Sequence, residues 1–341
     1  MSTIKDIARH AGVSAATVSN VINETRYVSP ELRDRVMAAV SELEYRPNAV
    51  AKSLRKKRTS TIGLIAPDNS NPFFAEVAKG VEDAGFRAGV SVILCNSDSS
   101  FDRECSYLQL LSDKQVDGII FIATTPEIDH LTRLIDPRLP MVVFYRQSDR
   151  PMTDSLVVDN FGGGYLATQH LIELGHRHIA CVAPASTNSP SSLRVSGYRQ
   201  AMQDAGLAVE DDLLFRGDNR FSGGRDGASH LLAGRRRFTA MFAGNDVMAV
   251  GAIREFRDQG IDVPRDVSVA GFDGIALGEV TIPALTTIVQ PRYDAGHRAF
   301  GLLYQRIEEG YDGPPRHESL GIELVVREST MPLAQSQKEA K

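Results

Sequence analysis

Residues 3–23 read TIKDIARHAGVSAATVSNVIN, and the fold reading starts from this stretch. Thr3 with Asp6 three residues later has the spacing of a capping box, and Ile4, Ile7, Ala8 and Ala11 then recur at helical period. Gly12 supplies a stop. Ser14 is placed to cap a second helix, Ala15 to Ile22, whose buried face is predicted to be Val18, Val21 and Ile22. Two short helices joined by a tight turn containing glycine make a helix-turn-helix. That motif sets the N-terminal part of its second helix into the DNA major groove. The residues left outward suit that task. Ala15 and Ala16 offer methyl contact to thymine, and Asn20 can bond adenine N6 and N7 together. Ser14, Thr17 and Ser19 can bond phosphates, helped by the helix dipole. The same spacing fits an ordinary helical hairpin, so the rest of the chain has to arbitrate.

Moving outward, Ser29 and Pro30 start a third helix with an apolar stripe of Leu32, Val36, Ala39, Val40 and Leu43. A turn at 45–48 follows, and Asn48 caps a short helix, Ala49 to Arg55. So short a helix needs a partner, such as its twin in a dimer or a nucleic acid. Leu54, apolar beside a basic cluster, fits either a wedge between base steps in the minor groove or packing on the next domain. Residues 1–60 hold eleven Lys and Arg against six Asp and Glu, a net +5. The remainder holds 27 against 37, a net −10. A basic head on an acidic body points to a polyanionic partner, although a solvated basic face gives the same count.

From residue 61 onward apolar runs alternate with helical patterns. Strands are predicted at 62–66, 90–94, 118–122, 141–144, 155–158, 179–183, 240–243 and 267–271, with helices such as 73–88 and 245–259 between them. Continuous apolar runs suit parallel strands buried on both faces, giving doubly wound α/β architecture. Some 270 residues exceed one such sheet, so two subdomains are expected. Ligands in these sheets bind beyond the carboxyl ends of the strands. The candidate loops are therefore 68–74, 123–126, 145–147, 185–194, 245–246 and 272–274. No GxxxxGK[ST], HExxH, GxSxG or CxxC occurs, which speaks against enzymes built on those signatures, and no cofactor or metal is expected. Gly162-Gly163-Gly164 is read as close packing at a helix start, and His176-Arg177-His178 as a solvated turn. Three scattered cysteines, no signal peptide and no long apolar span lead to the expectation of a cytoplasmic protein with no membrane contact.

The opening stretch, VSPELRDRV, ELEYRPNAVAKSLRKKRTSTIGLI and NPFF together resemble the lactose/galactose-repressor (LacI/GalR) family of bacterial transcription regulators. The resemblance continues through VDGIIF, GYLATQHLIELGHRHIA, GNDVMAVGA, VPRDVSVAGFDG, PALTTIVQP and LVVRES, across nearly all of residues 2–328. It implies a helix-turn-helix head (1–46), a hinge helix and linker (47–60) and a two-subdomain sensor like periplasmic binding proteins. The subdomains would be 61–158 with 291–319 and 159–290 with 320–330, followed by a disordered tail, 331–341. It also implies operator reading by Ala15, Ala16 and Asn20, and a hinge Leu54 that intercalates at the centre of the site. Phe73, Phe74, Arg194, Asn245, Asp273 and Gln290 would line the effector cleft, with Arg194 and Asp273 the pair most typical of sugar binding. Two positions depart from the family pattern. Tyr145 stands where many relatives have Asp, and Asn219 where many have an aromatic, for which Phe221 is a candidate replacement. Arg146 with Arg194 fits either an anionic effector or a structural ion pair.

The resulting expectation is a homodimeric repressor, not an enzyme, that binds a pseudo-palindromic duplex operator under control of a sugar-like effector. Its target genes would be those of carbohydrate metabolism. A protein corepressor in place of the metabolite is an alternative. A sugar kinase with an accessory head would need phosphate-binding motifs that are missing. A plain ligand-binding protein would have no use for a basic head.

Overall fold

A computed structural model of the chain describes residues 2–24, 26–45, 58–124, 134–148, 150–187 and 189–333. The chain forms two compact units, 1–59 and 60–341. In the first, helices α1 (Ile4–Ala11), α2 (Ala15–Asn23) and α3 (Pro30–Glu42) enclose a small core. The Thr3 hydroxyl accepts from Asp6 N–H while the Asp6 carboxylate reaches back to Thr3 N–H, completing the capping box. Gly12 ends α1 at φ +62°, the left-handed region that favours glycine, and Arg35 from α3 donates to the Ala11 carbonyl at 2.5 Å. Ile7, Ala11, Val18, Val21, Val36 and Ala39 fill the core, as the helical period predicts. The predicted hinge helix, with Asn48 and Leu54, lies outside the described residues.

The second unit holds two six-stranded sheets. Its elements run β1 (Thr61–Ala66), α4 (Pro72–Ala88), β2 (Ser91–Asn96), α5 (Phe101–Asp113), β3 (Gly118–Ile122), β4 (Met141–Phe144), β5 (Thr153–Val158) and α6 (Asn160–Glu173). After these come β6 (Ile179–Ala183), α7 (Leu193–Asp204), β7 (Leu214–Arg216), α8 (Phe221–Ala233), β8 (Ala240–Ala243), α9 (Asp246–Asp258) and β9 (Ser268–Asp273). The last are α10 (Leu277–Val280), β10 (Thr286–Val289), α11 (Arg292–Ile307), β11 (His317–Leu320) and β12 (Glu323–Val325). The first sheet has strand order β11-β5-β4-β3-β1-β2 and is parallel throughout. The second has order β12-β10-β9-β8-β6-β7 and is parallel except for β12. The chain therefore passes between sheets after β5, after β10 and after β11.

Alternate residues of the central strands feed cores on both faces. Leu64 joins Phe73, Val77 and Phe300 under α4 and α11, while its neighbour Ile65 joins Leu108, Leu111 and Phe121 under α5. This two-sided burial explains why most of the eight predicted strands are continuously apolar; β2, at a sheet edge, is only partly buried. The four unpredicted strands are short, and three of them (β7, β11 and β12) lie at sheet edges. The fourth, β10, opens with two threonines.

Two readings need correction. His176 is buried rather than in a solvated turn: Nδ1 lies 2.9 Å from Thr239 Oγ1, and Nε2 lies 3.1 Å from Ser268 Oγ and 3.2 Å from the Met331 carbonyl. Burial lowers its pKa. Arg177 and His178 are exposed. The segment read as a tail from Met331 begins in contact with the second sheet. Met331 N–H donates to Ser268 Oγ at 3.1 Å, and Leu333 N–H donates to the Leu174 carbonyl at 2.8 Å. Backbone hydrogen bonds of this kind do not show in side-chain polarity.

Candidate DNA interface and effector site

The head presents α2 by its N-terminus. Ser14 Oγ accepts from Thr17 N–H at 3.0 Å and lies 2.9 Å from Thr17 Oγ1, which fixes the first turn. Ser14, Ala15 and Ala16 are exposed, whereas Thr17, Ser19 and Asn20 are half-buried. Asn23 donates to the Ser19 carbonyl at 2.7 Å, closing the far end. The result is a small-residue surface at the positive end of a helix, suited to close approach by a base edge and a phosphate.

In the sensor, a cavity of about 550 Å³ opens between the carboxyl ends of the two sheets. Phe73, Phe74, Arg194, Asn245 and Asp273 line it as expected. Gln290 stands behind it, buried, donating to Asp273 Oδ1 at 2.8 Å. Arg146 is half-buried and does not line the cavity, and Phe221 is exposed at the start of α8. Asp68 and Tyr145 from the candidate loops and Asn219, noted as a departure, also line the wall, as do Asp98, Asp218 and Arg220, which the sequence reading did not name. Most lie in loops after strands, a position that sequence can suggest, but nothing in the sequence says which of their side chains face the cavity.

The Arg194–Asp273 pair is the centre of the site. Arg194 Nη1 is 3.0 Å from Asp273 Oδ1 and 2.7 Å from the Gly244 carbonyl, and its Nε is 2.8 Å from Asn160 Oδ1. Its guanidinium lies 3.7 Å above the Phe272 ring. Both side chains are about 95% removed from solvent, at 5% and 6% exposure. The predicted glycine packing fixes this arrangement. A Cβ on Gly164 would stand 2.1 Å from the Arg194 carbonyl oxygen, so only glycine lets α6 and α7 approach closely enough to seat Arg194.

Asp273 has φ +118°, a backbone that side-chain-bearing residues rarely adopt. The turn after it is held from behind by Asp246, which accepts from Ile275 N–H at 2.9 Å and Thr287 Oγ1 at 2.5 Å. Burial raises Asp273 to about 6 against the opposing charge of Arg194. Burial, and next the Asp273 charge, raise Asp246 to about 8. Arg292 donates to the Asp273 carbonyl at 3.1 Å and to Glu76 on α4 at 2.8 Å. Across the mouth, Arg220 lies 3.5 Å from Asp68. Arg220–Asp68 joins loops that follow strands of different sheets, and Arg292, on a helix of the first sheet where it pairs with Glu76, reaches the Asp273 carbonyl of the second.

A basic helix-turn-helix and a two-sheet ligand cleft in one chain define a ligand-responsive transcription regulator. The comparisons agree in both halves. Residues 3–48 match the bacterial regulatory proteins of the lacI family, and residues 59–324 match the periplasmic binding proteins and sugar binding domain of the LacI family. The chain belongs to the LacI family of DNA-binding transcriptional regulators. It is 39% identical over 340 residues to the HTH-type transcriptional repressor PurR of Photobacterium profundum, covering 98% of this chain and 100% of that one. Among solved structures, the Lac repressor dimer bound to operator and the anti-inducer ONPF superposes with a TM-score of 0.85 at 27% identity, covering 97% and 99% of the two chains. The transcriptional regulator CelR–cellobiose complex gives 0.72 at 32% identity, covering 96% and 100%. These relatives are repressors and regulators, not enzymes, and the chain is a DNA-binding repressor with an effector-binding domain. Among the described residues no helix is long and apolar enough to cross a membrane.

Proposed function

We propose that the protein is a homodimeric repressor of carbohydrate-metabolism genes, whose grip on a pseudo-palindromic operator is set by a sugar or sugar derivative in the cleft. The observation supporting the sugar is the buried Arg194–Asp273 pair at the head of a wall otherwise made of hydroxyls, amides, carboxylates and phenyl faces. A polyhydroxylated ring uses that mixture of donors, acceptors and apolar surface. The solved relative bound to cellobiose points the same way. The charge favours a neutral molecule over an anion. Asp68, Asp98, Asp218 and Asp273 face the cavity against Arg194 and Arg220, and both arginines are paired with aspartates. Burial works against the Asp218 charge. The Ser222 hydroxyl and the N–H groups of Arg220 and Gly223 outweigh it and keep that carboxyl below the usual range.

A second reading has a specific observation behind it. Phe73, Phe74, Phe101 and Tyr145 make an aromatic side to the cavity, which suits a planar heterocycle. A thermal-shift screen with sugars, sugar acids, sugar phosphates, nucleosides and nucleobases separates the two, because a molecule that binds the native state raises its melting point.

On the DNA side, Ala15, Ala16 and Asn20 read bases, Ser14, Thr17 and Ser19 hold phosphates, and Asn48 and Leu54 belong to a hinge whose leucines wedge into the centre of the operator. Footprinting across a salt series tests the whole scheme: a protected palindrome with steep salt dependence is expected, and flat dependence without protection ends it. Leu54→Ala should weaken specific binding more than non-specific binding; equal losses remove the wedge. Effector and operator must alter each other's affinity by the same factor.

A further inference from the structure

The chain leaves the second sheet after β10 through residues 290–292, and both ends of that step grip Asp273. Gln290 donates its side-chain N–H to Asp273 Oδ1 at 2.8 Å and its backbone N–H to the Asp273 carbonyl at 3.4 Å. Arg292, the first residue of α11, donates from Nη1 to the same carbonyl at 3.1 Å and to the carbonyl of Gly274. Its Nε turns the other way, to Glu76 Oε2 on α4 at 2.8 Å. Glu76 lies about one turn beyond Phe73, which lines the cavity. One guanidinium thus joins the helix that opens with the aromatic wall to the turn that carries the carboxylate. Its planar fork allows this, whereas an ammonium is a single point of charge.

The turn is built to receive that side chain. Gly274 has φ +71°, and a Cβ there would stand 2.8 Å from Val289 Cα and 2.9 Å from Arg292 Nη1. Asp273, at φ +118°, keeps its backbone only where the surroundings hold it. Asp246 holds the turn by the Ile275 N–H, and Arg292 holds it by the carbonyls of Asp273 and Gly274. Arg292 itself does not line the cavity. Resting on the reading of this cleft as the effector site, we propose that Arg292 is a positioning residue for the effector: anchored by Glu76 on the first sheet's side, it sets the turn that aims Asp273 at the ligand, and so makes binding at one wall depend on the other.

The test uses the full-length protein. D-Ribose, D-galactose, D-glucose, cellobiose, adenosine and guanine are screened by thermal shift. Every probe that binds is then titrated by calorimetry into wild type, Arg292→Met, Glu76→Gln and the double variant, with unliganded melting temperatures as folding controls. Arg292→Met should bind at least about 10-fold more weakly. Glu76→Gln should bind about 3-fold more weakly or worse, and it carries the test if Arg292→Met does not fold. In the Arg292→Met background Glu76→Gln should lose nothing further. A pH series separates action through Asp273 from general loosening. The charged and titratable groups that act on Asp273 or answer to it are Arg194, Arg292 with its partner Glu76, Asp246 and Tyr145. Burial pushes Asp273 up to about 6, against the charge of Arg194 and, less strongly, that of Arg292. Asp246, pushed up to about 8, changes charge above that value. Binding that uses the ionised Asp273 should fall as pH drops through about 6, and Arg292→Met should move the fall to higher pH. Wild-type affinity in either single variant, additive losses in the double variant, or a loss of the same size at every pH overturns the proposal while leaving the effector site standing. A wild type stabilised by none of the six probes overturns the effector reading beneath it.

Discussion

In the head, the six side chains proposed to meet DNA lie within seven consecutive residues, 14–20, at the cap and first turns of a nine-residue helix, and none of them is fully buried. In the sensor, the expected side chains that line the cleft come from positions 73 to 273, and Arg194 and Asp273 are almost wholly buried. The head can afford exposed groups because its ligand, a duplex, supplies both the charge and the surface. The sensor pairs its charges in advance, as a site proposed for a small neutral molecule must, because such a molecule brings little to compensate a buried ion. Substitutions should therefore separate stability from recognition in the head and fail to separate them in the sensor.

Arg194→Met should break this contrast most severely. It leaves Asp273 buried without its partner, and a loss of about 3–5 kcal/mol in sensor stability is expected by urea or thermal unfolding, together with loss of effector binding. An Asp246→Asn comparison gives a pH signature of a few kcal/mol. The folded state holds the Asp246 proton to about 8, above the ordinary aspartate value of 3.8. Its contribution is therefore fully present below the unfolded value and lost as pH rises toward 8. Wild type should lose stability relative to Asp246→Asn over that range, and parallel curves would refute the assignment. Gly164→Val should push α6 away from α7 and cost about 1–3 kcal/mol, with weaker effector binding because Arg194 shifts with its carbonyl. In the head, Asn20→Ala should cost about 1–3 kcal/mol of discrimination at its base pair while the melting temperature stays put, as competition binding on operator variants would show. Ser14→Ala removes a cap and should cost about 0.5–2 kcal/mol of head stability, the smallest of these effects.

Legibility follows the same division. The capping box at Thr3 and Asp6, the stop at Gly12 and the cap at Ser14 depend on residues three or four apart, so the helix period displays them. The buried strands were equally plain, since two covered faces require an unbroken apolar run. Tyr145 was noticed as a departure, but nothing in its neighbours says that its ring would pack on Phe73 and Phe144 in the cavity wall. Arg146, read with Arg194 as fitting either an anionic effector or a structural ion pair, does not line the cavity, a placement its position after β4 did not disclose.

The order of the amino acids by itself determined the helical head, the alternation of strand and helix, and the basic-over-acidic division of charge. Each depends on local period or on composition, which a linear string records completely. The tertiary structure alone decided that Gly164 seats Arg194, that Gln290 stands behind Asp273 rather than in the cavity, that His176 is buried, and that Asp246 props the strained turn from behind. Those facts depend on which distant backbones touch and which side chains lose water, quantities set by packing among segments up to some two hundred residues apart.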